Sequence, residues 1–424
     1  MININNEAYE LLGISKDVIN LANECEEELE VRFDEIEEIA LFNTAKILNA
    51  FKKNRVSDSH FKATTGYGYD DAGREVIEKV YADIFKTEDA LVRINFVNGT
   101  HSLSTAIAGN LMPGDLLVSI TGAPYDTLAE TIGIVENNMS LIANGVKYMQ
   151  VDLKEGTFDI PKIEEVIKNN KVKMIFIGRS RGYETRPSQT VSQIGNVISK
   201  IKEIDENVIV MVDNCYGELV EKMEPTEVGA DIMAGSLIKN LGGGLCETGG
   251  YIVGKKELVE NAAKRLTAPG IGKECGATLG KNKEILQGLF MAPQAVKNAL
   301  KTATLTAAML EKLGYEVSPN AWEYRTDIIE SIILKDEKKL ISFIQGIQQA
   351  SPIDSFVLPM PWDMPGYTNP VIMAAGTFVS GASIELSCDA PVKEPYAVFM
   401  QGGLTYESAK LGVCTAIDKM LRGM

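Results

Sequence analysis

A chain of 424 residues is too long for one ordinary hydrophobic core and predicts at least two domains. Its hydrophobic share of 45% and charged share of 24% are those of a globular protein. The formal net charge of -16 argues against a nucleic-acid partner, because phosphate binding needs a basic face.

Six cysteines at 25, 215, 246, 275, 388 and 414 form no C-x-x-C pair, and with two histidines in the chain no metal site is expected. The first residues lack a basic region followed by an apolar core, so no signal peptide is expected. No apolar run approaches the roughly 20 residues that span a bilayer, so no membrane partner is expected either. The expectation is a cytoplasmic protein with reduced thiols.

Residues 16–54 read as an amphipathic helix. Leu29, Phe33, Ile36, Ala40, Ile47 and Phe51 recur at helical spacing, and acidic residues crowd 24–38 on a solvated face. Residues 57–74 lose periodicity and gather Gly, Tyr and Asp, which predicts a loop. From 75 to 255, helical stretches (75–85, 102–111, 126–136, 160–169, 191–204) alternate with short apolar runs (91–96, 116–120, 147–151, 172–177, 208–212). That alternation predicts an α/β domain with a mostly parallel central sheet covered on both faces, and 251–253 returning antiparallel. A long helix is predicted from 294 to 313, then a strand over 326–334, a helix over 337–349, a strand over 377–386 and a helix over 404–421. These make a smaller C-terminal α+β domain, interrupted by a proline-rich ordered loop or lid over 359–370.

Two of the apolar runs end on chemistry. The run 208–212 stops at Asp213, and the run 231–234 leads through Ser236 to Lys239 among glycines. In a parallel sheet the carboxyl ends of strands form the ligand crevice. There a lysine is a candidate for a Schiff base and an aspartate for the partner of a pyridinium nitrogen. Read singly, the acid is a loop or cap residue and the lysine a solvated one; their joint placement raises the functional reading. Asn98-Gly99-Thr100-His101 adds a strand that gives way to a helix start, the layout that holds an anion on backbone N–H groups. The glycines at 242–244 fit neither phosphate-binding fingerprint, since no Gly-Lys-Ser/Thr follows and no G-x-G-x-x-G is present.

With these residues in view, the chain resembles the fold-type I pyridoxal-phosphate enzymes. Within them it resembles the methionine gamma-lyase-like family, also called aluminium resistance proteins and related to the cystathionine beta- and gamma-lyases. The match rests on the ordered set of runs starting at Phe61, Asn98, Gly122, Arg179, Asp213, Gly235, Gly376 and Gln401, and it spans nearly the whole chain.

The resemblance implies pyridoxal 5'-phosphate as cofactor and an N-terminal segment, 1–60, that packs on the small domain or on a neighbouring subunit. It also implies a large cofactor domain over 61–293 and a small domain over 294–424. Lys239 would hold the cofactor aldehyde and shuttle protons, and Asp213 would pair with the ring nitrogen. The backbone of Gly99 and Thr100, the Thr100 hydroxyl and Ser236 would bind the phosphate. Tyr125 would stack on the ring, with His101 as the alternative, and would also serve as an acid. The relatives carry a Tyr-x-Arg pattern in a loop that reaches a partner subunit's phosphate. Here the loop has Tyr67 and Tyr69 and no Arg until Arg74, and Tyr69 is the candidate donor.

The substrate-carboxylate Arg of many relatives is missing from 377–391, which shifts that role to Arg179, Arg181 and Arg186. A bidentate guanidinium suits it, though a surface role for the three is the plain alternative. The implied reaction is β- or γ-elimination from a sulfur amino acid (cystathionine, cysteine or methionine-like), in a homodimer or homotetramer with active sites at the dimer interface. The alternatives are an aminotransferase and a catalytically silent cofactor-binding protein.

Overall fold

The computed structural model describes residues 7–363 and 369–423. It falls into two compact units, one taking the chain from 42 to 292, the other the residues up to 41 together with those from 293 on.

In the first unit seven strands form one sheet. They are β1 (Asp89–Arg93), β2 (Leu116–Ser119), β3 (Lys147–Gln150), β4 (Val172–Gly178), β5 (Ile209–Asp213), β6 (Ile232–Ser236) and β7 (Gly250–Gly254). Their order is β1-β7-β6-β5-β4-β2-β3. The run from β6 through β5, β4 and β2 to β3 is parallel, and β7 lies antiparallel to both β6 and β1. The mostly parallel sheet and the antiparallel return at 251–253 are therefore as expected.

The central strands β5 and β6 are buried along their whole length, so they carry continuous apolar runs rather than an alternating pattern. Met174, Phe176, Met211, Ile232, Ala234 and Ile252 pack with Leu103 and Ile107 of helix Gly99–Gly109 and with Val259 and Ala262 of helix Lys256–Leu266. This layer fixes the helix that starts at Gly99 against the sheet.

In the second unit five further strands, β8 (Glu316–Ser318), β9 (Ile329–Ile333), β10 (Val371–Ala374), β11 (Ser387–Pro391) and β12 (Ala397–Gln401), form an antiparallel sheet ordered β10-β11-β12-β9-β8. Helices Glu337–Ala350 and Tyr406–Arg422 pack on each other beside it.

Three sequence expectations need correction. The helix expected from 294 begins earlier, as Asn282–Lys312 with Pro293 inside it. A proline forfeits one backbone bond and crowds the preceding turn, yet apolar residues at helical spacing on both sides carry this helix through. The single helix expected over 16–54 is two, Lys16–Glu28 and Glu30–Lys53, which meet at Leu29. The strand expected over 377–386 does not form. The Glu385 carboxylate instead accepts from Phe378 N–H at 2.8 Å and Val379 N–H at 3.0 Å, and this holds the segment as a loop. Of the proline-rich stretch 359–370, residues 364–368 lie outside the described residues.

Candidate active site

The site is built where β5 and β6 end. Residue 213 closes β5 and residue 236 closes β6, and the two strands pair in parallel with Asp213 opposite Ala234. After β6 the chain turns through Lys239 into a short 3-10 turn, Asn240–Gly242. A Cβ on Gly242 would lie 1.9 Å from the Leu237 carbonyl oxygen, so only glycine allows a turn this tight.

Helix Gly99–Gly109 points its N-terminus at the same place. The Asn98 side chain caps it by accepting from His101 N–H at 2.9 Å. Ser102 Oγ donates to the carbonyls of Gly99 and Gly235, each at 2.8 Å, which ties the helix start to β6. A Cβ added to Gly99 would come 3.5 Å from Ser236 Cβ, 3.6 Å from Cys215 Sγ and 4.0 Å from Lys239 Nζ. Gly99, Ser236, Cys215 and the Lys239 amine therefore surround one small space.

Thr100 Oγ1 lies 3.0 Å from Tyr125 OH and 3.0 Å from Thr127 Oγ1, which brings the loop after β2 to the same helix start. Tyr125 is half exposed, whereas Ser236 is fully buried. His101 Nδ1 accepts from Val97 N–H at 3.2 Å, and its ring meets Phe96 edge-on at 5.5 Å. His101 is thus turned toward its own strand end, while Tyr125 is held by Thr100.

Electrostatics follow from burial and from one positive charge. Burial pushes the Asp213 carboxyl up from its usual range, and the Lys239 ammonium and the Cys215 N–H, 3.0 Å from Asp213 Oδ1, pull against it. Burial works to neutralise Lys239, but its acidic neighbours Cys215, Tyr216, Asp213 and Tyr125 oppose that and hold the ammonium well above the ordinary lysine value. Its Nζ also lies 3.9 Å from the centre of the Tyr216 ring. Burial raises Tyr125 and Cys215 as well, so both stay protonated at neutral pH, and it lowers His101.

The three arginines are placed differently from one another. Arg179 is fully buried; its guanidinium donates to Asn214 Oδ1 at 2.6 Å, Gly217 O at 2.9 Å and Glu221 Oε1 at 2.8 Å, and lies 3.5 Å from Glu224 Oε2. Arg179 is thereby engaged in bracing the loop after β5. Arg181 is also buried. Arg186 retains some exposure, donates to Glu184 Oε2 at 2.8 Å and Ser180 O at 2.6 Å, and contributes positive potential at Asp213.

Tyr69 stands apart from this cluster. It stacks on Tyr67, ring centres 5.5 Å apart, and both are exposed. Their loop is rooted by Arg74, whose guanidinium donates to the carbonyls of Gly68 at 2.6 Å, Gly276 at 2.7 Å and Glu274 at 3.2 Å. Gly68 has φ 59°, and a Cβ there would lie 2.7 Å from Ala277 N.

Sequence reasoning did not single out Tyr216 or Glu218. Tyr216 has φ 71°, uncommon for a side chain of its size, and it sits three residues past the acid that ends β5. An aromatic so close to a strand-end acid is the signal that was available.

An α/β unit that brings an amine, an acid and a helix N-terminus together at the carboxyl ends of its strands has the architecture of the fold-type I pyridoxal-phosphate-dependent enzymes. The pyridoxal-5'-phosphate-dependent protein YhfS from Escherichia coli, 16% identical, shares that fold over 89% of this chain and 95% of its own, at a TM-score of 0.60. The chain belongs to the methionine gamma-lyase family, which matches residues 18–421. It is 50% identical to the uncharacterized protein YnbB of Bacillus subtilis strain 168 over 95% of this chain and 96% of that one. A carbon-sulfur lyase involved in aluminum resistance from Clostridium novyi NT is 46% identical, with a TM-score of 0.95 over 99% of both chains. A Clostridium acetobutylicum protein named provisionally as a cystathionine beta-lyase involved in aluminum resistance is 50% identical, with a TM-score of 0.95 over 99% of both.

The family implies pyridoxal phosphate, and the residues present fit it. The amine of Lys239, the buried acid of Asp213, the capped helix start at Gly99 and the buried Ser236 would supply one group for each part of that molecule. Gly99 keeps open the space that a side chain would fill. Among the described residues no group of His, Cys, Asp and Glu is placed to hold a metal ion, and no helix is long and apolar enough to cross a membrane.

Proposed function

We propose that this protein is a pyridoxal-phosphate-dependent carbon–sulfur lyase that acts on a sulfur amino acid by β- or γ-elimination. The observation that carries the reading is the single small space bordered by Gly99, Cys215, Ser236 and the Lys239 amine, beside Asp213, in a member of the methionine gamma-lyase family. When bound, pyridoxal phosphate supplies the electron sink that stabilises negative charge at the substrate α-carbon.

The chain's own residues divide the remaining work. Lys239 binds the cofactor through its Nζ and, once displaced by substrate, takes the proton from Cα. Asp213 would keep the proton on the ring nitrogen, and its burial would make that charge-assisted bond strong. Backbone N–H groups at Gly99 and Thr100, with the hydroxyls of Thr100 and Ser236, bind the phosphate at the helix N-terminus. Tyr125, held protonated by burial and oriented by Thr100, would help hold the cofactor and would donate its hydroxyl proton to the departing group. Of the three arginines, Arg186 takes the substrate carboxylate, because it keeps some exposure and puts positive potential at Asp213, whereas Arg179 is fully buried against Glu221, Asn214 and Gly217. The tyrosine pair at 67 and 69 reaches the phosphate of a second copy in a homodimer or homotetramer.

The test is borohydride reduction of the purified yellow protein followed by peptide mapping, with thiol and 2-oxo acid release assayed on cystathionine, cysteine and methionine. The expected result is a modified Lys239 and release of both products. Colour that persists in Lys239→Ala would reject the lysine. Amino-group transfer without thiol release would make the protein an aminotransferase, and cofactor binding with neither would make it a silent binder.

A further inference from the structure

One buried acid near the site has no part in the chemistry above. Glu218 is fully buried in the loop after β5. Its Oε1 accepts from Tyr251 OH at 2.8 Å, and its Oε2 finds no hydrogen-bond partner among the described residues. Tyr251 lies in β7 opposite Gly235 of β6, the residue before Ser236. A Cβ on Gly235 would be 2.7 Å from both Glu218 Oε1 and Tyr251 OH, so the acid lies directly on the bare backbone of the strand that leads to Lys239.

A second contact runs from the same residue. The Glu218 carbonyl accepts from Asn240 Nδ2 at 2.9 Å, and Asn240 is the residue after Lys239. Asn240 is itself fully buried, and its Oδ1 has no hydrogen-bond partner among the described residues. Glu218 therefore grips the Lys239 turn on both flanks, by its side chain through Tyr251 and Gly235 and by its backbone through Asn240.

We propose that Glu218 is a positioning residue for the Lys239 amine, acting through its paired contacts with Tyr251 and Asn240. The charged and titratable groups around it are Tyr251 of β7, Tyr81 of helix Ala72–Ile84, Cys215 and Glu224 of its own loop, and Lys239. Burial, the first cause, raises the Glu218 carboxyl to about 8, with Glu224 adding to the rise and Tyr251 and Lys239 opposing it. At neutral pH it is thus an uncharged acid, and it acts by hydrogen bonding and shape rather than by charge. This assignment deepens the proposed role of Lys239 as the cofactor lysine and rests on it, but its test does not need the cofactor.

The experiment measures, in cofactor-free protein at pH 7, the rate at which Lys239 reacts with trinitrobenzenesulfonate, read by peptide mapping with other lysines as internal controls. Glu218→Gln keeps an acceptor for Tyr251 and should react at the wild-type rate. Glu218→Leu should free the turn and admit water, which moves the amine toward an ordinary lysine and raises its rate about tenfold, one pKa unit. If Glu218→Leu fails to fold, Asn240→Ala removes the backbone tie and should accelerate Lys239 alone. Equal rates in all variants would overturn the proposal. So would equal acceleration in the Gln and Leu variants, which would mark a charge effect. A wild-type protein that never takes up pyridoxal phosphate would instead remove the cofactor reading and leave this result standing.

Discussion

The Lys239 ammonium lies 3.9 Å from the centre of the Tyr216 ring, and Tyr216 reaches that place only by adopting φ 71°. An aromatic face attracts a cation by about 1–2 kcal/mol when water is excluded. That contact adds to the acidic surroundings that keep the lysine charged before any ligand arrives. Tyr216→Leu is expected to keep the strained backbone, lose the ring and lower the Lys239 pKa. The pH dependence of Lys239 modification by trinitrobenzenesulfonate in the cofactor-free protein checks this, and an unshifted profile would deny the ring any influence.

Gly99→Ala separates folding from ligand binding. The new methyl group would meet only ordinary contacts at 3.5–4.0 Å, so denaturant stability of the cofactor-free protein should stay within about 0.5 kcal/mol of wild type. The same methyl fills the space beside Lys239 Nζ. Pyridoxal phosphate should then bind at least about tenfold more weakly, a loss of about 1.4 kcal/mol. Titration of the visible band measures it.

Arg179→Met and Arg186→Met should behave unlike each other. Removing Arg179 leaves Glu221 and Glu224 without their buried cation, and the loss should be about 3–5 kcal/mol in urea denaturation. Arg186 makes a more exposed ion pair with Glu184, so its loss should cost less than about 1 kcal/mol of stability. If it grips the substrate carboxylate, KM should rise while the melting curve barely moves. A wild-type KM in Arg186→Met would return the role to Arg181 or to another residue.

The raised acid at 218 has a thermodynamic signature. Its folded pKa of about 8 exceeds the ordinary glutamate value of 4.5, so the folded protein binds more protons than the unfolded chain between those values. Its contribution is complete below the lower value and is lost as pH rises through the upper one, with a slope of at most about 1.4 kcal/mol per pH unit. Glu218→Gln should flatten that fall in urea titrations run from pH 5 to 8. An identical slope in the variant would mean that the acid is already ionised in the folded state.

Tyr125→Phe keeps a ring and loses the hydroxyl that meets Thr100. If Tyr125 supplies a proton in the reaction, turnover should fall about a hundredfold or more while cofactor affinity changes little. A variant that binds weakly but turns over normally would assign the hydroxyl to binding alone.

Much of this arrangement could be read from the chain itself, for a physical reason. Fully buried strands such as β5 and β6 must be continuously apolar, so the acid, serine and lysine that follow them stand out as interruptions at the sheet's carboxyl edge. The start of the helix at Gly99 was similarly legible, because Asn98 is a good cap and glycine follows it. Contacts made across the fold left no such mark. Nothing local told that Arg179 would turn inward to Glu221, or that the Glu218 carboxyl would lie on Gly235 beneath Tyr251. The strand expected at 377–386 failed because Glu385 captures two backbone N–H groups that a ladder would have used. The helix expected from 294 runs instead from Asn282 through Pro293, since a proline marks a boundary only when the flanking pattern also ends.

Arg74, finally, gives its guanidinium to three carbonyl oxygens at the root of the loop that displays Tyr67 and Tyr69. The stacked rings are consequently a stiff prong rather than a trailing thread. Their ordering entropy is met when the chain folds, so whatever surface receives them gains contact area without having to tame the loop first.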